Sequence, residues 1–193
     1  MISPALVQRT DQSAKAVLCE LARRPHKGDL FRVCYKDYEP IRFSRDEGRW
    51  STSDLALLNT SPKKETAIGE MAYHTARRHG FMGKNDTHLV YHLKANLEHV
   101  VVIDDWDDLQ RLDVRQETFG MCSFSERHRE YVASQRVSRL IKELIQYGEK
   151  IDGFVVPSAR WPGSNLLVIE ATNGRVLVEQ VGQGEPFPWP GFK

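Results

Sequence analysis

The sequence predicts an α+β fold in a single domain, with mixed, mostly antiparallel sheet flanked by helices. Three observations predict it. Strand-like segments stand on both sides of the helical ones. The two kinds do not follow the regular βαβ order of a doubly wound sheet. Neither a GxGxxG nor a GxxxxGKS/T phosphate loop occurs. The chain has 193 residues, 40% of them hydrophobic, which is enough for one core and short for two.

The elements run in order along the chain. Gln12 to Arg24 reads as a helix with Val17, Leu18, Leu21 and Ala22 on one side, and Pro25-His26-Lys27-Gly28 ends it. Leu30 to Tyr35 is a strand. Lys36 to Asp54 is a polar loop holding Arg42, Arg45 and Arg49. Leu55 to Asn59 is a second strand. Ser61 is then placed to cap a helix, with Pro62 at its first position, and the helix runs to about His79 before Gly80. Thr87 to Lys94 alternates, with Leu89, Tyr91 and Leu93 on one face, and Val100 to Ile103 continues the strand signal. Ser125 to Tyr147 reads as helix, most strongly from Val137 to Ile145. Gly153 to Val156, Leu166 to Ile169 and Val176 to Val181 complete the strands. The expected organisation is a helical extension over 1–28, the main domain over 29–182 and an irregular Gly- and Pro-containing tail over 183–193.

Composition excludes several function classes. The chain carries 27 basic and 26 acidic residues, for a net charge of +1. No global attraction to nucleic acid or an anionic membrane is expected from that balance. No stretch is long and apolar enough to span a bilayer, and no secretory signal is expected. Cys19, Cys34 and Cys122 form no CxxC pattern and point to buried thiols in a reducing compartment. A protein injected into another cell would look the same.

Several side chains suit chemistry. Glu70 sits mid-helix among Ala67, Ile68, Met71 and Ala72, where a carboxylate needs a partner or a purpose. The plain alternative is a solvated outer-face glutamate. Gly69 would admit a close approach, and Tyr73 and His74 lie one turn on. Arg49 stands between Gly48 and Trp50, which can anchor the loop, and Arg32 lies inside the first strand. Each presents a fork suited to phosphate, or else makes an ordinary ion pair. Ser158 follows Pro157 at a strand end, where a hydroxyl can hold a sugar or amide, or simply close a turn. His88 and His92 fit a surface strand better than zinc, and no metal site is expected. Asp104-Asp105-Trp106-Asp107-Asp108 fits a helix cap better than magnesium.

Together these segments resemble the RES domain. The matching residues are Leu30-Phe31-Arg32-Val33, Gly48-Arg49-Trp50, Ala67-Ile68-Gly69-Glu70, Asp152-Gly153-Phe154, Pro157-Ser158-Ala159-Arg160 and Asn165-Leu166-Leu167-Val168. The resemblance implies an ADP-ribosyltransferase-like fold that uses NAD+ as substrate, with no separate cofactor. It implies a toxin or effector cleaving the nicotinamide–ribose bond by hydrolysis or phosphorolysis. The alternatives are ADP-ribosyl transfer to a protein and a non-catalytic NAD-like binding module. It further implies a cognate antitoxin or immunity protein, and action in the cytoplasm of the producer or of a target cell. By position, Glu70, Arg49 and Ser158 take the catalytic roles and Arg32 helps bind substrate. The family usually has a tyrosine eleven residues before the glutamate, where this chain has Asn59. Tyr73, Trp50 and Tyr35 are the aromatic residues expected to stand in for it.

Overall fold

A computed structural model describes residues 4–45, 49–79, 88–103, 105–114, 132–159, 161–171, 175 and 177–187. Gly48, Gly80, Thr87, Asp104, Cys122, Ser125 to Tyr131, Arg160 and Val176 lie outside the described residues, as does the end of the tail.

The elements are α1 (Pro4–Glu20), β1 (Arg23–Tyr35), β2 (Leu57–Thr60), α2 (Lys64–His79), β3 (His88–Val102), α3 (Trp106–Arg111), α4 (Val132–Gln146), β4 (Gly153–Pro157), β5 (Ser164–Ile169) and β6 (Val178–Pro186). Six strands form one sheet along the path β1-β3-β4-β5-β2, with β6 also on β3. Every pairing is antiparallel except β3 with β4. This is the α+β class that the sequence predicts.

Three groups of apolar side chains hold the layers. On α4, Val137, Leu140, Ile141 and Leu144 recur at helical spacing and are buried against Phe154, Val156 and Leu167 of the sheet. Ala14 and Leu18 of α1 and Leu109 of α3 join the same core. A second core lies between Leu30, Tyr91 and Leu93 on one side and Leu58, Leu166 and Val168 on the other. The third seats α2, through Ala67 and Ala72, on Val33, Val90 and Phe187.

The structure departs from the sequence-based element bounds in several places. The first helix stops at Glu20, and Arg23 to Gly28 already pair with β3. Pro25 falls at the register shift between Arg24 and His26, a position where its missing N–H breaks no ladder bond. Ser61 does not cap α2, which begins at Lys64; the serine instead bridges to Phe31. As the sequence reading expects of this acidic run, Asp105 caps a helix, the short α3, its carboxylate accepting from the Asp108 amide at 2.7 Å. Finally, Gly182 to Pro186 continue β6 along β3, so this part of the tail is strand. No helix among the described residues is long and apolar enough to cross a membrane.

The two ends of the sheet path, β1 and β2, meet in a bridge. There Phe31 and Ser61 exchange backbone hydrogen bonds of 2.8 and 2.9 Å. α2 packs beside this junction.

Candidate active site

Glu70 lies mid-α2, half-buried, where helix and sheet converge. Its Oε1 accepts from the Ser158 hydroxyl at 2.5 Å and from Asn165 Nδ2 at 3.2 Å. Two donors on one carboxylate oxygen fix the carboxylate's orientation.

Each donor is itself held. Ser158 comes directly after the last residue of β4, and its amide donates to the Gly163 carbonyl at 2.9 Å, closing the β4–β5 turn. Gly163 has φ +123°, a conformation that favours glycine. The Ser158 oxygen also accepts from the Trp161 amide at 3.1 Å. Thr66 of α2 donates to the Pro162 carbonyl at 2.9 Å, docking the turn onto the helix. Gly69 completes the fit: a Cβ there would stand 2.2 to 2.6 Å from the Trp161 indole. The absent side chain is what lets the ring lie against the helix beside Glu70.

Asn165 is the second residue of β5 and is buried. Its Oδ1 accepts from the Ser61 hydroxyl at 2.7 Å, so the amide must turn its NH2 toward Glu70. A cavity of about 230 Å³ lies here, and Phe31, Arg32, Asn59, Ser61, Glu70 and Asn165 are among its lining.

Of the other expected site residues, Asn59 is exposed on β2 at the cavity wall. Arg32 borders the cavity, and its guanidinium donates to the Pro40 and Arg42 carbonyls at 2.9 and 3.0 Å. Burial lowers its pKa, and the neighbouring Arg42 charge adds to this. Trp50 is buried in the main core, edge-on to Phe154 with ring centroids 5.9 Å apart. It directly follows the half-buried Arg49 in the chain. Neither residue lines the cavity, and nor does Tyr73, half-buried on α2, or Tyr35. The structure thus brings Glu70, Arg32 and Asn59 to the cavity wall, ties Ser158 to Glu70 from outside that wall, and leaves Arg49, Trp50 and Tyr73 off it.

Sequence reading misses Asn165 and Ser61 as parts of the site. Ser61-Pro62 imitates a helix cap. A polar Asn165 heading the apolar run Leu166 to Ile169 is the one signal available, since a buried amide demands partners.

A larger cavity of about 560 Å³ opens at the other ends of β2, β4 and β5. Several of its charged groups answer one another: Arg45 with Glu170 at 3.5 Å, Lys142 with Asp54 at 3.8 Å and Arg175 with Asp152 at 3.4 Å. The smaller cavity, with its carboxylate held by neutral donors, is the better place for chemistry. Among the described residues no group of three or more His, Cys, Asp or Glu could hold a metal ion.

No curated protein matches the chain in sequence. Among solved structures, it is similar to a chain in the crystal structure of the M. tuberculosis MbcT–MbcA toxin–antitoxin complex. The TM-score is 0.66, over 89% of this chain and 93% of that one, at 11% identity. That likeness is one of fold. In sequence, the model of the RES domain matches residues 29–190, a span that takes in Arg32, Glu70, Ser158 and Asn165. With most of its length matched, the chain belongs to the RES domain family.

Proposed function

We propose that this protein is an NAD+-degrading toxin or effector that cleaves the nicotinamide–ribose bond, passing the ADP-ribosyl group to water or phosphate. The observation that carries the reading is the Glu70 carboxylate, fixed by Ser158 and Asn165 at a cavity that Arg32 borders. Family membership supports the substrate class.

The chemistry needs such a group. As the bond to nicotinamide lengthens, positive charge grows on the ribose ring. A carboxylate held beside that ring stabilises the charge without reorganising. The pyridinium takes the bonding electrons and leaves as neutral nicotinamide, so no strong general acid is required. Water or phosphate then bonds to the anomeric carbon, and water releases a proton in doing so. In this reading Glu70 faces the reacting sugar. Arg32 and Arg49 hold the pyrophosphate, and Ser158 stands beside the nicotinamide ribose while it positions Glu70.

A second reading, transfer of ADP-ribose to a protein, is favoured by one observation. Asn59 is exposed at the cavity wall where the family usually has a tyrosine, which leaves that wall more open. The similar structure comes from a toxin–antitoxin complex, and we extend a neutralising partner and a cytoplasmic site of action to this chain on that basis.

The test is NAD+ loss and nicotinamide release by the purified protein, with and without phosphate, beside Glu70→Gln. Turnover lost in the variant supports the reading, and phosphate dependence names the acceptor. Label retained on a protein instead selects transfer. NAD+ binding with no turnover under any condition would sink both enzymatic readings.

A further inference from the structure

We propose that the Phe31 ring is the surface on which the nicotinamide ring stacks, an assignment that rests on the NAD+-cleaving function proposed for this site. Phe31 lines the cavity beside Ala67 and Met71 of α2, which gives the site an apolar wall next to its polar one. Trp50, Tyr73 and Tyr35 do not line it.

The ring is held at its backbone and on one face. Its backbone is pinned by the paired bonds to Ser61. His92 lies opposite Phe31 in the register and stacks on it, with centroids 5.3 Å apart and planes 13° from parallel. His92 Nε2 in turn lies 2.8 Å from Asp29 Oδ1, which fixes the imidazole. A half-buried ring backed in this way is a preorganised platform, because little rotamer freedom remains to be lost on binding.

Ser61 also sets where the platform stands relative to the carboxylate. Its backbone holds Phe31, and its hydroxyl orients the Asn165 amide that donates to Glu70. A ligand with a flat ring on one side of its reacting bond and a sugar on the other fits that pairing. The ring in the substrate is a pyridinium, and an aromatic face attracts a cation. After cleavage the nicotinamide is neutral and that attraction is gone, so the platform grips substrate more tightly than product. Because the charge leaves the pyridinium as the bond breaks, the contact serves binding rather than the chemical step.

The test uses the full chain. Phe31→Leu keeps an apolar side chain and removes the π face. It should raise KM for NAD+ about three- to tenfold with kcat within about twofold, and Phe31→Tyr should restore the wild-type KM. A readout free of turnover comes from Glu70→Gln protein mixed with NAD+. The nicotinamide-ring protons should shift upfield through the Phe31 ring current, and Glu70→Gln with Phe31→Leu should lose that shift. An unchanged KM in Phe31→Leu, or no upfield shift in Glu70→Gln protein saturated with NAD+, overturns the stacking assignment alone. Wild type that neither binds nor consumes NAD+ overturns the functional reading beneath it.

Discussion

The Ser158 hydroxyl donates to Glu70 Oε1 across 2.5 Å, joining the end of a strand to the middle of a helix over 88 residues of sequence. The turn carrying Ser158 is docked on the same helix through Thr66 and Trp161. The carboxylate and its donor therefore move as one body.

Glu70→Gln should cost a factor of about 10² to 10³ in turnover, the usual loss for one preorganised electrostatic group. The amide oxygen of glutamine can still accept from Ser158 and Asn165, so the thermal midpoint should stay near that of wild type. Nicotinamide release and a melting curve on the same sample check both halves.

Asn165→Ala removes a donor to Glu70 and leaves the Ser61 hydroxyl without its buried acceptor. The expected loss is about 1–3 kcal/mol of stability, read by urea unfolding, together with lower turnover. Full stability in the variant would show that the amide does not brace the carboxylate.

Gly69→Ala sets two effects against each other. Alanine favours helix over glycine by about 1 kcal/mol. Its Cβ would sit 2.2 to 2.6 Å from the Trp161 indole, and overpacking typically costs about 1–3 kcal/mol. The clash should win, and the displaced indole should disturb the Trp161 amide bond to Ser158. A variant more stable and as active as wild type would contradict this.

Leu18→Ala should destabilise the whole protein by about 2–5 kcal/mol, because Leu18 of α1 is fully buried with residues of α4 and the sheet. A single cooperative transition at lower urea would show that α1 unfolds together with the sheet.

Alkylation should separate two thiols. Cys34 is buried, and burial pushes its pKa up, partly opposed by the Arg32 charge. Cys19 is exposed. Iodoacetamide at pH 8 should label Cys19 well before Cys34, as peptide mapping would show. The raised pKa also sets the sign for stability. The protonated Cys34 supports the fold fully below the thiol's unfolded pKa, and that support is lost as pH rises through the higher folded value.

Much of the fold is legible in the sequence because apolar spacing reports which faces are buried. Val137 to Leu144 shows a helix, and Leu166 to Ile169 a strand. Pro25 misleads, because a proline that breaks a helix can equally occupy a strand irregularity, and only the partner strand decides. In the site, Glu70 stands out as a carboxylate in an apolar helix, and Ser158 as a hydroxyl at a strand end. Ser61 and Asn165 do not stand out, because their work is done on each other across 104 residues. Local pattern cannot register a contact of that range.

The contacts that brace Glu70 come from far along the chain, and this imposes an order on synthesis. A nascent chain that has reached Thr60 holds Phe31 but not the serine that pins it. One that has completed α2 carries Glu70 with neither of its donors, since Ser158 and Asn165 are still unmade. Such long-range pairings close late, after local helices have formed. An unfinished or truncated product that ends before the β4–β5 turn carries Glu70 with an unbraced carboxylate, whatever the rest of the chain has folded into.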